Sequence, residues 1–200
     1  MQEQIQSALK VFQKHKGAMR SSQIFEEGIQ PRTLYQMRDE GLLVQEGRGL
    51  YRLADAQVWS DPDLAIVSLR IPKGVICLIS ALYFHGITTQ IPHQVQVALP
   101  KDSEKPRLQY PPTRFFWISS EAFKAGIEKH MVDHVEIKVY GVAKTVADCF
   151  KFRNKVGMDV ALEALREGLR LQKCTSNEIL HFARIDRVAR IILPYLEALV

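Results

Sequence analysis

The apolar positions of the first fifty residues change period as the chain proceeds. Ile5, Ala8, Leu9 and Phe12 recur at spacings of three and four, which predicts an amphipathic helix over about 4–14, ended by Lys16 and Gly17. Ser21 or Ser22 suits the N-cap of a short second helix over 23–27, and Gly28 suits its left-handed end. Pro31 opens a third helix with its pre-set backbone angle, and Gly41 closes it. From Leu42 the pattern becomes strand-like. Residues 42–45 and 50–53 flank Glu46-Gly47-Arg48-Gly49, which predicts a hairpin with a glycine-rich tip. Three helices followed by a hairpin predict a winged helix-turn-helix over about 14–53.

Residues 54–60 read as a linker, and Asp61-Pro62-Asp63 caps a helix running to about 70. The apolar run 75–84 predicts a buried helix ending near Gly86; it is about half the length that a membrane-spanning helix needs. Residues 94–99 alternate as a strand, a proline-rich loop runs through Pro112, and 114–118, 127–132 and 134–140 predict further strands. From Val142 the pattern is helical. Thr175-Ser176-Asn177-Glu178 forms a capping box before the penultimate helix, and Pro194 is expected to kink or divide the last. The expected fold class is α+β: a winged helix-turn-helix over 1–56, then a larger α+β domain over 57–200 with a mixed or antiparallel sheet and a helical C-terminal part. The polar N-terminus lacks the pattern of a signal peptide, so the expected location is cytoplasmic.

Composition adds little to this picture, and charge corrects one easy inference. With 46% hydrophobic and 24% charged residues the chain resembles soluble globular proteins rather than disordered or fibrous ones. The net charge of +5 permits a polyanionic partner without requiring one. Residues 1–56 carry 8 basic and 7 acidic side chains, 57–140 carry 9 and 8, and 141–200 carry 10 and 7. DNA binding by the first segment is therefore expected from pattern, not from bulk charge. Cys77, Cys149 and Cys174 are odd in number and widely spaced, which predicts reduced thiols, two of them buried.

On the third helix Leu34 and Met37 share one side, and a turn of about 100° per residue sends Arg32, Tyr35, Gln36 and Asp39 to the other. Arg bonds two acceptors on guanine and Gln two groups on adenine, so Arg32 and Gln36 are candidates to read bases. Tyr35 would meet phosphate or a thymine methyl, Thr33 joins the same DNA-binding set, and Asp39 would accept from cytosine or orient an arginine. Arg20, Ser21 and Ser22 begin the second helix, where N–H groups and a cation suit a phosphate. Arg48 at the hairpin tip would reach the flanking backbone or minor groove.

The blocks Gly28-Ile29-Gln30-Pro31-Arg32-Thr33-Leu34-Tyr35, Asp39-Glu40-Gly41-Leu42-Leu43 and Arg48-Gly49-Leu50-Tyr51-Arg52-Leu53 resemble the N-terminal domain of AbiEi-type antitoxins. Leu78-Ile79-Ser80-Ala81-Leu82, His85-Gly86-Ile87-Thr88-Thr89-Gln90 and Lys144-Thr145-Val146-Ala147-Asp148-Cys149-Phe150-Lys151-Phe152-Arg153-Asn154-Lys155 resemble blocks of the same family's second domain. The resemblance implies a bacterial transcriptional autorepressor and type IV antitoxin, whose partner gene encodes a nucleotidyltransferase-like toxin. It implies that the winged helix binds repeats in its own promoter and that the C-terminal domain counters the toxin, with no stable complex required. Inverted repeats would bring two copies to the operator, because one short helix reads few base pairs.

Lys144, Asp148, Lys151 and Lys155 line the polar side of the helix beginning at Val142, and with Arg153 they form a candidate face for docking toxin or nucleic acid. Arg184, Arg187 and Arg190 make a second candidate stripe, although a solvated helix face is the simpler account. The Lys144–Asp148 spacing also fits a structural i,i+4 pair, which is preferred to a catalytic reading. His85 and His93 lack completing ligands, and His130 and His134 lie in a strand-turn-strand pattern, so no metal is expected. No nucleotide, hydrolase or cofactor motif occurs, so neither catalysis nor a cofactor is expected. The alternatives are a winged-helix regulator whose C-terminal domain senses a ligand without any toxin and, more remotely, a nucleic-acid-processing enzyme.

Overall fold

The computed structural model describes residues 2–15, 17–55, 60–132 and 135–199. Three features read from the sequence involve positions outside these: the helix end at Lys16, the linker and domain boundary around 56–59, and the relation of His130 to His134. The chain packs as two compact units, Met1–Arg70 with Met131–Glu136, and Ile71–His130 with Ile137–Val200.

The first unit runs α1 (Gln2–Lys14), β1 (Ala18–Arg20), α2 (Ser21–Glu26), α3 (Pro31–Asp39), β2 (Leu43–Gly47), β3 (Leu50–Leu53) and α4 (Pro62–Arg70). β3 is the middle strand of an antiparallel sheet, with Tyr51 opposite Met19 on one side and Gln45 on the other. Strand β1 was not among the elements expected; three residues are too few to show alternation, and its pairing comes from β3. Ala8, Phe12, Met19, Ile24, Ile29, Leu34, Met37, Leu43, Tyr51 and Leu53 form one core. Burying each large member contributes about 1.5–3 kcal/mol.

Two backbone details set the geometry of this unit. Gly28 at φ 85° ends α2, and the Ile29 N–H donates back to the Ile24 carbonyl at 3.1 Å while the Ile29 side chain enters the core. That fixes the turn into α3, where Pro31 takes the first position. At the hairpin tip Gly49 has φ 72°, and a Cβ there would lie 2.9 Å from Ser21 Oγ. The Ser21 N–H donates to the Gly49 carbonyl at 2.9 Å, so the hairpin is clamped to the start of α2.

The second unit is built on β4 (Val75–Ile76), α5 (Leu78–Phe84), β5 (Val95–Pro100), β6 (Thr113–Ile118), α6 (Ser120–Lys124), β7 (Ile127–Val132) and β8 (Val135–Tyr140). Five helices follow: α7 (Val142–Lys151), α8 (Arg153–Val156), α9 (Met158–Arg170), α10 (Ser176–Ile185) and α11 (Ala189–Glu197). The strand order is β6-β5-β4-β8-β7, and the sheet is mixed: β4 runs antiparallel to β5 and parallel to β8, and β5 runs parallel to β6. Helix α7, buried from Val142 to Phe150, is the centre of the unit's core and packs against α5, α9 and α10.

One expectation is corrected here. The apolar run 75–84 is not one helix: Val75 and Ile76 form the central strand, the backbone turns through Leu78 at φ 50°, and only then does α5 begin. A short buried strand and a buried helix look alike in apolar content, and pairing with β5 and β8 decides for the strand. Pro194 lies inside α11 without dividing it. The capping box is present as expected, with the Thr175 N–H donating to Glu178 Oε2 at 2.8 Å and the Glu178 N–H donating to Thr175 Oγ1 at 3.3 Å. No helix among the described residues is long and apolar enough to cross a membrane.

Gly49→Ala should lower the unfolding free energy by about 1–2 kcal/mol, because a Cβ at positive φ is strained and meets Ser21. Urea denaturation followed by circular dichroism measures this; an unchanged midpoint contradicts the clamp.

Candidate functional site

Helix α3 presents one side to the core and the other to solvent. Leu34 and Met37 have no exposure, while Arg32, Asp39 and Tyr35, the last 46% exposed, face outward. The outer residues are not equivalent. Gln36 is half-buried and its Nε2 donates to Glu40 Oε1 at 2.7 Å, so its amide is partly occupied within the helix. Asp39 accepts from Arg38 Nη2 at 2.7 Å and Nε at 2.9 Å, and this bond is the main reason the Arg38 pKa is raised. The Arg38 guanidinium also lies 5.2 Å from the Tyr35 ring centroid. Arg38 was absent from the expected site; its signal was the spacing of three residues from Tyr35, which places both on one helical stripe. Arg32 has no hydrogen bond or ion pair among the described residues. Thr33, expected to touch DNA, is 8% exposed and packs inward beside Leu34, which removes it from the outer face.

The start of α2 is partly committed to the fold. The Ser21 N–H serves Gly49 and the Arg20 N–H donates to Gln23 Oε1 at 3.1 Å, so those donors are not open to a phosphate. Ser22 is exposed. The Arg20 side chain is different: its Nη2 is buried with no acceptor among the described residues, and burial first, then the charge of Arg70, lowers its pKa. Two guanidiniums whose charges repel favour an anion nearby. On the hairpin, Arg52 donates to Glu46 Oε1 at 2.9 Å and to the Leu53 carbonyl, whereas Arg48 stands exposed at the tip without an ion pair among the described residues.

In the second unit the expected docking face on α7 is corrected. Lys144 and Asp148 have no exposure and cannot meet a partner or substrate. The Lys144 Nζ donates to Asp148 Oδ1 at 2.5 Å and to Asp186 Oδ2 at 3.0 Å, and lies 4.9 Å from the centroid of the Tyr140 ring. Asp186, also buried, accepts from Lys151 Nζ at 3.0 Å as well. The pattern of α7 suggested a polar outer side because Lys144 and Asp148 are charged; covering by α10 makes that side interior. Burial pushes the Asp148 carboxyl up, Lys144 pulls it down and Asp186 pushes it up, and together they leave it at about 7. Asp148 Oδ2 has no hydrogen-bond partner among the described residues.

The remaining candidates are scattered. Arg153 donates to the Phe150 carbonyl at 2.9 Å, and Lys155 Nζ lies 5.7 Å and 5.6 Å from the Phe116 and Phe152 ring centroids. Arg184, Arg187 and Arg190 are exposed around the α10–α11 turn, with no ion pairs among the described residues. His85 Nε2 donates to the Tyr140 carbonyl at 2.8 Å, and burial is the main cause lowering its pKa. His130 faces Glu128 Oε2 at 3.0 Å. No three His, Cys, Asp or Glu side chains gather as metal ligands among the described residues. All three cysteines, rather than two, are buried and free, and burial raises each thiol pKa, that of Cys174 to about 11.

Residues 6–54 match the model of a family described as transcriptional regulator, AbiEi antitoxin. This segment contains α3 and the whole hairpin, while the similar blocks at 78–90 and 144–155 lie beyond it. No curated protein matches the chain. Among solved structures, the RV2827C protein from Mycobacterium tuberculosis is similar in fold, with a TM-score of 0.61 over 88% of this chain and 69% of that one at 14% identity.

Lys144→Ala should lower stability by about 3–5 kcal/mol, since it leaves Asp148 buried without its cation. A thermal or urea denaturation loss under about 1 kcal/mol would contradict this. Asp148 also gives a pH signature. A folded-state pKa of about 7 against the ordinary 3.8 means that the folded chain binds the proton more tightly. Its stabilisation is therefore full in acid and is lost as pH rises from about 4 to about 7. The unfolding free energy of the wild type minus that of Asp148→Asn should fall across that window; a difference that grows with pH would contradict the raised value.

Proposed function

We propose that this chain is a sequence-specific DNA-binding autorepressor and the antitoxin of a type IV toxin-antitoxin pair, with residues 1–56 acting as a winged helix-turn-helix. The observation that carries this reading is the outer face of α3. It holds Arg32 and Tyr35 in solvent opposite Leu34 and Met37, and the hairpin beside it ends in unpaired Arg48. An arginine without an internal partner on a short exposed helix suits bidentate contact with guanine in a major groove. Arg20, half-buried with the charge of Arg70 near, adds positive potential at the edge of that groove, although its Nη2 is buried and cannot itself reach a phosphate. Tyr35, steadied by Arg38, meets backbone or a thymine methyl.

Two copies act on inverted repeats of the chain's own promoter, in the cytoplasm. Residues 57–200 act against a nucleotidyltransferase-like toxin. With Lys144 and Asp148 interior, the surface left for toxin or nucleic acid is the arginine cluster Arg184, Arg187 and Arg190, with Lys151, Arg153 and Lys155 more committed to the fold.

Fluorescence anisotropy with the chain's own upstream DNA tests the first half. Arg32→Ala should weaken binding by about 1–3 kcal/mol and relax the sequence preference at one position of each repeat. Arg48→Ala should weaken all sequences alike and reduce the salt slope by about one. Equal binding of upstream and scrambled DNA at physiological salt overturns the reading. Coexpression with the product of the adjacent gene tests the second half: the chain expressed from an unrelated promoter should restore growth, and Arg32→Ala should restore it equally. Failure of the wild type to restore growth leaves a repressor without an antitoxin role.

A further inference from the structure

A cavity of about 860 Å³ opens in the second unit beside the starts of β5 and β6, a volume typical of small-molecule sites. Ile79, Ile91 and Pro112 supply apolar walls, and His93 stands at the same cavity. Thr89, Gln90 and Gln94 line it as well, and two of its polar groups, Gln96 and Arg114, are partners in the parallel β5–β6 register and so project from the same face of the sheet.

Gln96 is held in place. Its Oε1 accepts from the Ile79 N–H at 2.8 Å, and its own N–H donates to Ser80 Oγ at 2.9 Å. Because Oε1 must be the atom that accepts from an N–H, the amide orientation is fixed, and Nε2 remains as a donor with no acceptor among the described residues. The residue is 7% exposed, so this donor is offered from a buried, rigid position. The Arg114 guanidinium lies 5.2 Å from the buried Phe116 ring centroid, an arrangement that steadies the group and keeps its N–H edges available. It has no ion pair among the described residues, and none of the residues lining the cavity is acidic.

A fixed amide donor next to an unpaired guanidinium, under apolar walls, recognises a carboxylate attached to an apolar body. The geometry points to this cavity as a binding site for a small organic monocarboxylate with an apolar, ring-sized body. The carboxylate sits between Arg114 and Gln96 Nε2, and the body lies against Ile79, Ile91 and Pro112. This site is separate from the residues assigned to DNA, and its failure would leave the DNA-binding reading untouched.

The test is ligand-observed NMR and titration calorimetry on the full chain with benzoate, phenylacetate and 3-phenylpropionate, each against its carboxamide. At least one carboxylate should bind saturably with a Kd at or below about 1 mM, and at least about tenfold tighter than its amide. Arg114→Gln should remove at least about tenfold of that affinity. Gln96→Glu keeps the acceptor for the Ile79 N–H and replaces the donor with a carboxylate oxygen beside Arg114, so it should abolish binding. Lys101→Gln, away from the cavity, should bind as the wild type does. Absence of saturable binding, equal affinity for acid and amide, or undiminished binding by Arg114→Gln overturns the inference. The acid-against-amide comparison uses only the wild-type chain and stands even if a variant misfolds.

Discussion

A lysine ammonium with no access to water must be surrounded by acceptors, and the helical half of the second unit is arranged around that requirement at Lys144. Asp148 comes from the next turn of α7, Asp186 from the end of α10, and the Tyr140 ring from the end of β8. Even the approach to β7 conforms: Gly126 at φ 70° lies where a Cβ would be 2.8 Å from Lys144 Cβ. A buried pair of this kind is no more stabilising than a well-packed apolar cluster would be, because desolvation offsets the attraction. What it adds is selectivity of arrangement. Sliding α10 by one turn, about 5.4 Å, would carry the buried Asp186 away from Lys144 and Lys151, whereas an apolar contact would tolerate the shift.

The same requirement explains why part of the architecture was legible in the sequence and part was not. Apart from β1, the elements of the first unit were readable because their signals are local: Gly28 and Pro31 punctuate the α2–α3 turn, and the outward set on α3 follows from 100° geometry. The Thr175 box was equally local. Burial of Lys144 depends on α10, more than thirty residues away, and charge at i,i+4 on an amphipathic helix ordinarily marks a solvated side. The split at Cys77–Leu78 was hidden for a related reason, since only pairing with β5 and β8 selects a strand for Val75 and Ile76. Thr33 lies at the border of the inner face, where periodicity alone does not decide exposure.

Within the candidate DNA interface, internal hydrogen bonding separates residues that hold the fold from residues that remain available. Glu40 engages Gln36, Asp39 engages Arg38, Glu46 engages Arg52, and Ser21 serves the hairpin. The residues left without ion pairs among the described ones include Arg32 on α3 and Arg48 at the tip, and both are exposed. Composition could not rank them, because it counts each arginine alike.

This partition bears on how the proposed interface would work. With 8 basic and 7 acidic residues over 1–56, the first segment has little long-range field with which to hold DNA of any sequence. Few neutralised phosphates per copy imply weak non-specific binding and a shallow salt dependence. Discrimination must then come from base contacts by one short helix, which are too few in a single copy to select an operator among competing sites. Two copies on repeated half-sites would multiply the specific contribution while adding only a few phosphate contacts, so under the proposed reading a weakly basic segment would gain selectivity from repetition, not from charge.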